Sequence, residues 1–196
     1  EPHFTEEVLE DRGDYELVRD IAGRKVLFFK NRRNGFMPEY VDHPVVDERS
    51  WEEGCKWRMD PDTPERLAAM DRYLPPAVEA AGRGMFMSQH VVGGYMYLRA
   101  LMGPTGLLYM FYDQPKLVHE CMQTWYNLAD DIIARHQRRL SFDELFIGED
   151  ICYNHGSLIS PDMIREFLLP YYQQLLTNMR RRRLDPDRPI HFQVDT

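Results

Sequence analysis

Pro189-Ile190-His191-Phe192-Gln193-Val194-Asp195 decides how this chain is read. Ile190, Phe192 and Val194 alternate with His191, Gln193 and Asp195, so a strand here carries one apolar and one polar face. The Asp185-Pro186-Asp187-Arg188-Pro189 segment turns the chain into it. Upstream, Ser160 caps a helix whose first position is Pro161. Met163, Phe167, Tyr171 and Leu175 lie on one side of that helix, Pro170 kinks it, and Arg180 to Arg183 complement its C-terminal dipole. Before it, Leu145-Phe146-Ile147 is a second short strand ending at Gly148-Glu149-Asp150. A long helix over 115–139 precedes this, with Leu117, Cys121, Trp125, Leu128 and Ile132 on one stripe. Further helices fall over 95–102 and 105–112. The first strand of the series, Met85 to Val92, ends at Gly93-Gly94.

Strand, helices, strand, helix, strand is the grammar of a parallel sheet. The expected fold is α/β, part of a (β/α)8 TIM barrel, with an N-terminal hairpin and short helices. Residues 1–83 form the hairpin and helical segment, and 84–196 the partial barrel units. The hairpin pairs Tyr15 to Arg19 with Val26 to Lys30 across Ala22-Gly23-Arg24. Residues 31–49, with Asn-Gly, Met-Pro and His-Pro steps, read as loop. Ser50-Trp51-Glu52-Glu53 has the form of a capping box, and a helix is expected from Pro64 through Tyr73. An eight-unit barrel needs about 250 residues. The chain also opens at Glu1 and stops at Thr196 directly after the third strand, so a segment of a longer protein is expected.

The 196 residues carry 24 Lys+Arg against 32 Asp+Glu, a net charge of −8 that disfavours a nucleic-acid partner. Aromatic residues at 12% support a packed core rather than disorder. No run approaches the ~20 apolar residues of a membrane span, and no secretory signal is visible. Cys55, Cys121 and Cys152 do not form a disulfide pattern; free thiols in a reducing cytoplasm are expected.

Parallel α/β folds place working residues at the C-terminal tips of the strands. Here those tips offer Gln89 and His90, then Glu149 and Asp150 with the loop Cys152-Tyr153-Asn154-His155, then His191, Gln193 and Asp195. A carboxylate at one tip and an imidazole on the neighbouring strand suit metal binding or proton transfer. The same residues equally suit the hydrogen-bonded polar lining of a barrel that holds no ligand. His119-Glu120-Cys121 is not a zinc pair, because i and i+2 diverge on a helix. The cluster from Tyr95 to Tyr112, rich in Tyr, Met and Phe, reads as core sooner than as a cofactor box. Neither a phosphate loop nor a nucleophile elbow is present.

Glu149-Asp150, the loop to Gly156, Leu158-Ile159-Ser160-Pro161 and Arg165-Glu166-Phe167-Leu168-Leu169-Pro170-Tyr171 resemble the uroporphyrinogen decarboxylase family. Met37-Pro38, Trp51-Glu52-Glu53, Asp60 to Arg66, Leu101-Met102-Gly103 and Phe111-Tyr112-Asp113 extend the likeness over most of the chain. The resemblance implies a (β/α)8 barrel with its site at the strand C-terminal mouth, in a family of cofactor-free tetrapyrrole decarboxylases and corrinoid-linked methyltransferases. Tyr153 stands where the decarboxylases carry a serine. His191 matches the histidine of a zinc-binding His-x-Cys pair, whereas Gln193 replaces its cysteine. Glu149, Glu166 and His191 follow the order of a two-glutamate, one-histidine zinc set.

What the resemblance implies is therefore a methyltransferase acting between a small methylated substrate and a corrinoid on a partner protein. Glu149, Asp150 and Tyr153 would be catalytic; Glu149, Glu166 and His191 would hold zinc, with Asp195 orienting a ligand. The alternatives are a tetrapyrrole decarboxylase without cofactor, or a polypeptide with no catalysis of its own. An incomplete barrel would leave strand edges unpaired and favour self-association.

Overall fold

The structure, a computed structural model, describes residues 2–33, 37–185 and 187–196. The Asn34-Gly35 step of the expected loop and Pro186 of the expected turn lie outside the described residues. Strands β1 (Glu7–Arg12), β2 (Tyr15–Arg19), β3 (Lys25–Phe29) and β4 (Glu39–Asp42) form an antiparallel sheet in that order. The expected hairpin is β2–β3, paired from Tyr15 with Phe29 to Arg19 with Lys25. Two further strands flank it. The segment read as loop contains β4 and a short 3₁₀ turn over Lys30–Arg32. β1 is exposed along its whole length and is held by ion pairs such as Arg19–Glu7 (2.5 Å) and Lys30–Asp11 (2.6 Å).

Ser50 is not a helix N-cap. Its hydroxyl accepts from the Val46 and Asp47 amides, while Asp47 caps the turn by accepting from the Ser50 amide at 2.7 Å. A wide π turn, Ser50–Cys55, follows, and it buries Trp51 and Cys55. Helix α1 (Pro64–Gly82) runs well past Tyr73, through Pro75 and Pro76. Both prolines are exposed, so water can take the carbonyls whose partners they remove.

The second sheet contains β5 (Ser88–Val92), β6 (Glu144–Gly148) and β9 (His191–Asp195), all parallel, with β6 in the centre. The chain passes from β5 to β6 through α2 (Gly94–Met102), α3 (Pro104–Asp113) and α4 (Pro115–Gln137). A two-stranded hairpin, β7 (Cys152–Tyr153) with β8 (Gly156–Ser157), follows β6. The chain returns through α5 (Pro161–Met163), a π turn over Ile164–Leu168, and α6 (Leu169–Arg181). Ser160 caps this segment as expected, its hydroxyl accepting from the Met163 amide at 3.1 Å.

The expected barrel architecture is corrected. Among the described residues no closed barrel forms: three parallel strands make an open sheet, and a separate antiparallel sheet precedes them. Closure of a barrel requires a ring of strands with consistent tilt and stagger, which three cannot supply. One face of this sheet, with Leu145, Ile147, Val91 and Val194, packs on the helical core. The other carries His90, Val92, His191, Gln193 and Asp195, all exposed. Here His90 stacks on Phe146 with ring centroids 4.7 Å apart. The polar alternation of the last strand is present, but it faces outward rather than into a closed interior.

Candidate functional site

The C-terminal edge of the parallel sheet gathers its polar groups around Glu149. β6 ends at Gly148, level with Val92 of β5 and Asp195 of β9. The turn of chain after β5 is drawn to it by the Gly93 amide, which donates to the Gly148 carbonyl at 2.7 Å. The Glu149 amide donates to the Asp195 carbonyl at 2.8 Å. Glu149 therefore sits where all three strands finish.

Its carboxylate is directed back over the start of α2. Oε1 accepts from the Tyr95 amide (3.1 Å) and Oε2 from the Met96 amide (3.0 Å). These are free N–H groups of the first helical turn, where the dipole favours negative charge. The Tyr172 hydroxyl, from α6, donates to Oε1 and accepts from the Gly94 amide at 2.8 Å. Glu149 is only 7% exposed. Burial pushes its carboxyl up to about 7, against the downward pull of the Tyr95, Met96 and Asp150 amides and of Arg99. A carboxyl in that range can release or accept a proton near neutral pH.

Gly93 and Gly94 make this approach possible. A Cβ on Gly93 would overlap the Glu149 carboxyl, and one on Gly94 would overlap the thioether end of Met122. The two sites differ in what must move. Gly93→Ala has to displace a carboxyl pinned by three partners and is expected to cost about 1–3 kcal/mol. Gly94→Ala meets mainly the flexible thioether end of Met122, with the Tyr172 hydroxyl beside it at 3.2 Å, and is expected to cost less than Gly93→Ala. Urea midpoints of the two variants measure the difference, and equal losses would contradict this placement of Glu149.

Asp150 points away from Glu149 and pairs with Arg99 of α2 at 2.8 Å. Tyr153 is exposed on the β7–β8 hairpin, its ring set edge-on to His155. The Thr196 hydroxyl reaches the thiol of Cys152, so the hairpin is tied to the end of β9. Asp150 and Tyr153 thus share the edge with Glu149, while neither side chain is bonded to its carboxyl.

The zinc set implied by the resemblance is not brought together. His191 begins β9, paired with Glu144, at the opposite end of the strands from Glu149. His191 is level with Glu144, five residues before Glu149, roughly 16 Å along the strand. Glu166 lies in the π turn and faces His119 of α4, with Oε1 3.9 Å from the ring nitrogen. Both Glu149 oxygens are engaged by amides and Tyr172. These residues do not fit a shared metal, and among the described residues no group of three His, Cys, Asp or Glu side chains has a metal-holding arrangement. Cys121, two residues beyond His119, is fully buried in the core.

Sequence reasoning named Glu149 but not Tyr172, having placed Tyr171 on the apolar side of that helix. The π turn explains this, since its wider period advances the helix face by one residue. A glycine pair that both ends a strand and opens a helix is the signal that could have marked α2 as the partner of the carboxylate.

No protein-family model, curated protein or solved structure matches this chain.

Proposed function

We propose that the C-terminal edge of the parallel sheet is a proton-transfer site, with Glu149 as the acid, serving methyl transfer from a small methylated substrate to a corrinoid carried by a partner protein. The observation that carries this reading is a buried carboxyl at the strand tips, joined to a tyrosine hydroxyl and protonatable near neutral pH. When a methyl group leaves oxygen, nitrogen or sulfur for a nucleophilic acceptor, the atom left behind needs a proton. Glu149 can supply it, and the Tyr172 hydroxyl and the two α2 amides then hold the resulting carboxylate. Gly93 lets the Glu149 carboxyl pack directly against the backbone at this edge. No step is routed through zinc, since the candidate ligands stand apart.

The decarboxylase alternative needs cationic groups for a substrate rich in carboxylates. The edge instead carries Asp150 and Asp195, and Arg99 is engaged by Asp150. That is the wrong sign of charge for such a substrate. Three free cysteines suit a reducing, cytoplasmic setting. No helix among the described residues is long and apolar enough to cross a membrane.

The test incubates the protein with reduced free corrinoid and a panel of methyl ethers, methylamines and methyl thioethers. Methylation of the corrinoid is followed by its change in absorbance. Protein-dependent methylation by one class is the expected result. Decarboxylation of an octacarboxylic porphyrinogen without methyl transfer would favour the alternative, and inactivity in both assays would overturn the enzymatic reading.

A further inference from the structure

A crevice of about 370 Å³ separates α1 from β5 and α4, remote from the Glu149 edge. Met70, Tyr73, Leu74, Met87, Ile132 and Phe142 form much of its wall, and its volume lies within the range of small-molecule sites. Ile132, on the expected core stripe of α4, lines it and is only half-buried, and α1 has no fully buried residue. One polar pair stands in this apolar wall: His136 of α4 and Gln89 of β5, with Nδ1 2.8 Å from Oε1.

The hydrogen bonds determine the state of that pair. The Gln89 amide nitrogen donates to the His90 carbonyl at 3.0 Å, which leaves Oε1 as the atom facing His136. An amide oxygen only accepts, so Nδ1 must carry the hydrogen. Burial lowers the affinity of the imidazole for a second proton. Nε2 is therefore a bare lone pair, and it has no hydrogen-bond partner among the described residues. Arg66, at the mouth, is held by the Asp60 carbonyl (3.0 Å) and the Thr63 hydroxyl (3.3 Å). The crevice thus offers apolar and aromatic walls with one imidazole acceptor, and Arg66 is tied by hydrogen bonds to its own segment.

We propose that this crevice binds a neutral aromatic molecule bearing a hydroxyl group, with the hydroxyl donating to Nε2 of His136 and the ring lying against Phe142, Met70 and Met87. An anionic ligand is disfavoured, because a carboxylate would meet the lone pair of His136. A purely apolar ligand would leave that lone pair buried without a donor.

Calorimetric titration of the full chain with 2-naphthol and with its methyl ether tests this. The two probes share rings, but only the first can donate. Binding of 2-naphthol about 10-fold tighter than the ether is expected. In His136→Phe the two should bind within about 2-fold of each other, with the ether unchanged. Nitrogen NMR of labelled histidine provides a readout that needs no variant: Nε2 unprotonated in the free protein, and shifted by 2-naphthol but not by the ether. Equal affinities in the wild type, a protonated Nε2, or failure of both probes to bind would each overturn the proposal.

Discussion

Glu149→Gln is expected to reduce methyl transfer by about 10²–10⁴-fold, the usual contribution of a positioned general acid, and to abolish a pH dependence of stability worth about 3 kcal/mol. The amide has nearly the shape of the protonated carboxyl and its one oxygen can still accept from one of the two α2 amides, but it has no transferable proton at neutral pH. The stability effect has a definite sign. Burial raises the folded carboxyl from 4.5 to about 7, so between those values the folded chain keeps a proton that the unfolded chain has released. The contribution of Glu149 is therefore greatest below pH 4.5, falls as pH rises through the window, and levels off above about 7. At 1.36 kcal/mol per unit, the gap between wild type and variant should shift by about 3 kcal/mol. His43 and His136 are depressed by burial and act in the opposite sense, losing stability as pH falls. Both remain in the variant, so the difference between the two urea-melt series isolates Glu149. A constant gap across pH 4–8 would show that this carboxyl ionises as an ordinary one, and lost activity would then need another cause.

Trp51→Ala is expected to destabilise the protein by about 3–5 kcal/mol, the range for truncating a large buried aromatic side chain. Trp51 is completely buried in the main core, and its indole N–H donates to Glu120 of α4 at 3.2 Å. Lys56 holds the same Glu120 oxygen at 2.8 Å. The segment between the antiparallel sheet and α1 is thus joined to the longest helix by one large ring and a small polar cluster. Truncation leaves a cavity and removes one donor from Glu120. Trp51→Phe keeps a ring and should lose less. Chemical denaturation followed by circular dichroism measures both; a loss below about 1 kcal/mol for the alanine variant would mean that this contact does not anchor the segment.

Much of the chain was legible from local pattern. The β2–β3 hairpin, the alternation of β9, the long stripe of α4 and the Ser160 cap all rest on contacts between near neighbours, which sequence spacing reports directly. β1 was not legible because Glu7 to Arg12 has no buried face: it is a backbone ladder on β2, flanked by exposed ion pairs. The extent of α1 was hidden by Pro75 and Pro76, which disfavour a helix interior yet lie on an exposed face of this one. The barrel expectation failed at a longer range. Alternation on β9 specifies two faces, but the sequence of one strand does not state what covers them. At the site, Glu149 was legible as an acidic strand tip, whereas His191 was placed with it because alternation was given more weight than position along the strand. The register sets that position, with His191 at the level of Glu144 and Asp195 at the level of Gly148.

The π turn at Ile164–Leu168 sets the phase of everything after it. A regular helix turns about 100° per residue, so one additional residue decides which of two adjacent tyrosines meets Glu149. With the turn present, Tyr172 reaches the carboxylate while Tyr171 is directed to the His119 carbonyl. Removing one residue from this turn would let the backbone on both sides keep its place as continuous α-helix. The extra residue therefore works as a vernier between Ser160, which fixes the start of the helix, and the hydroxyl that must arrive at the strand tip.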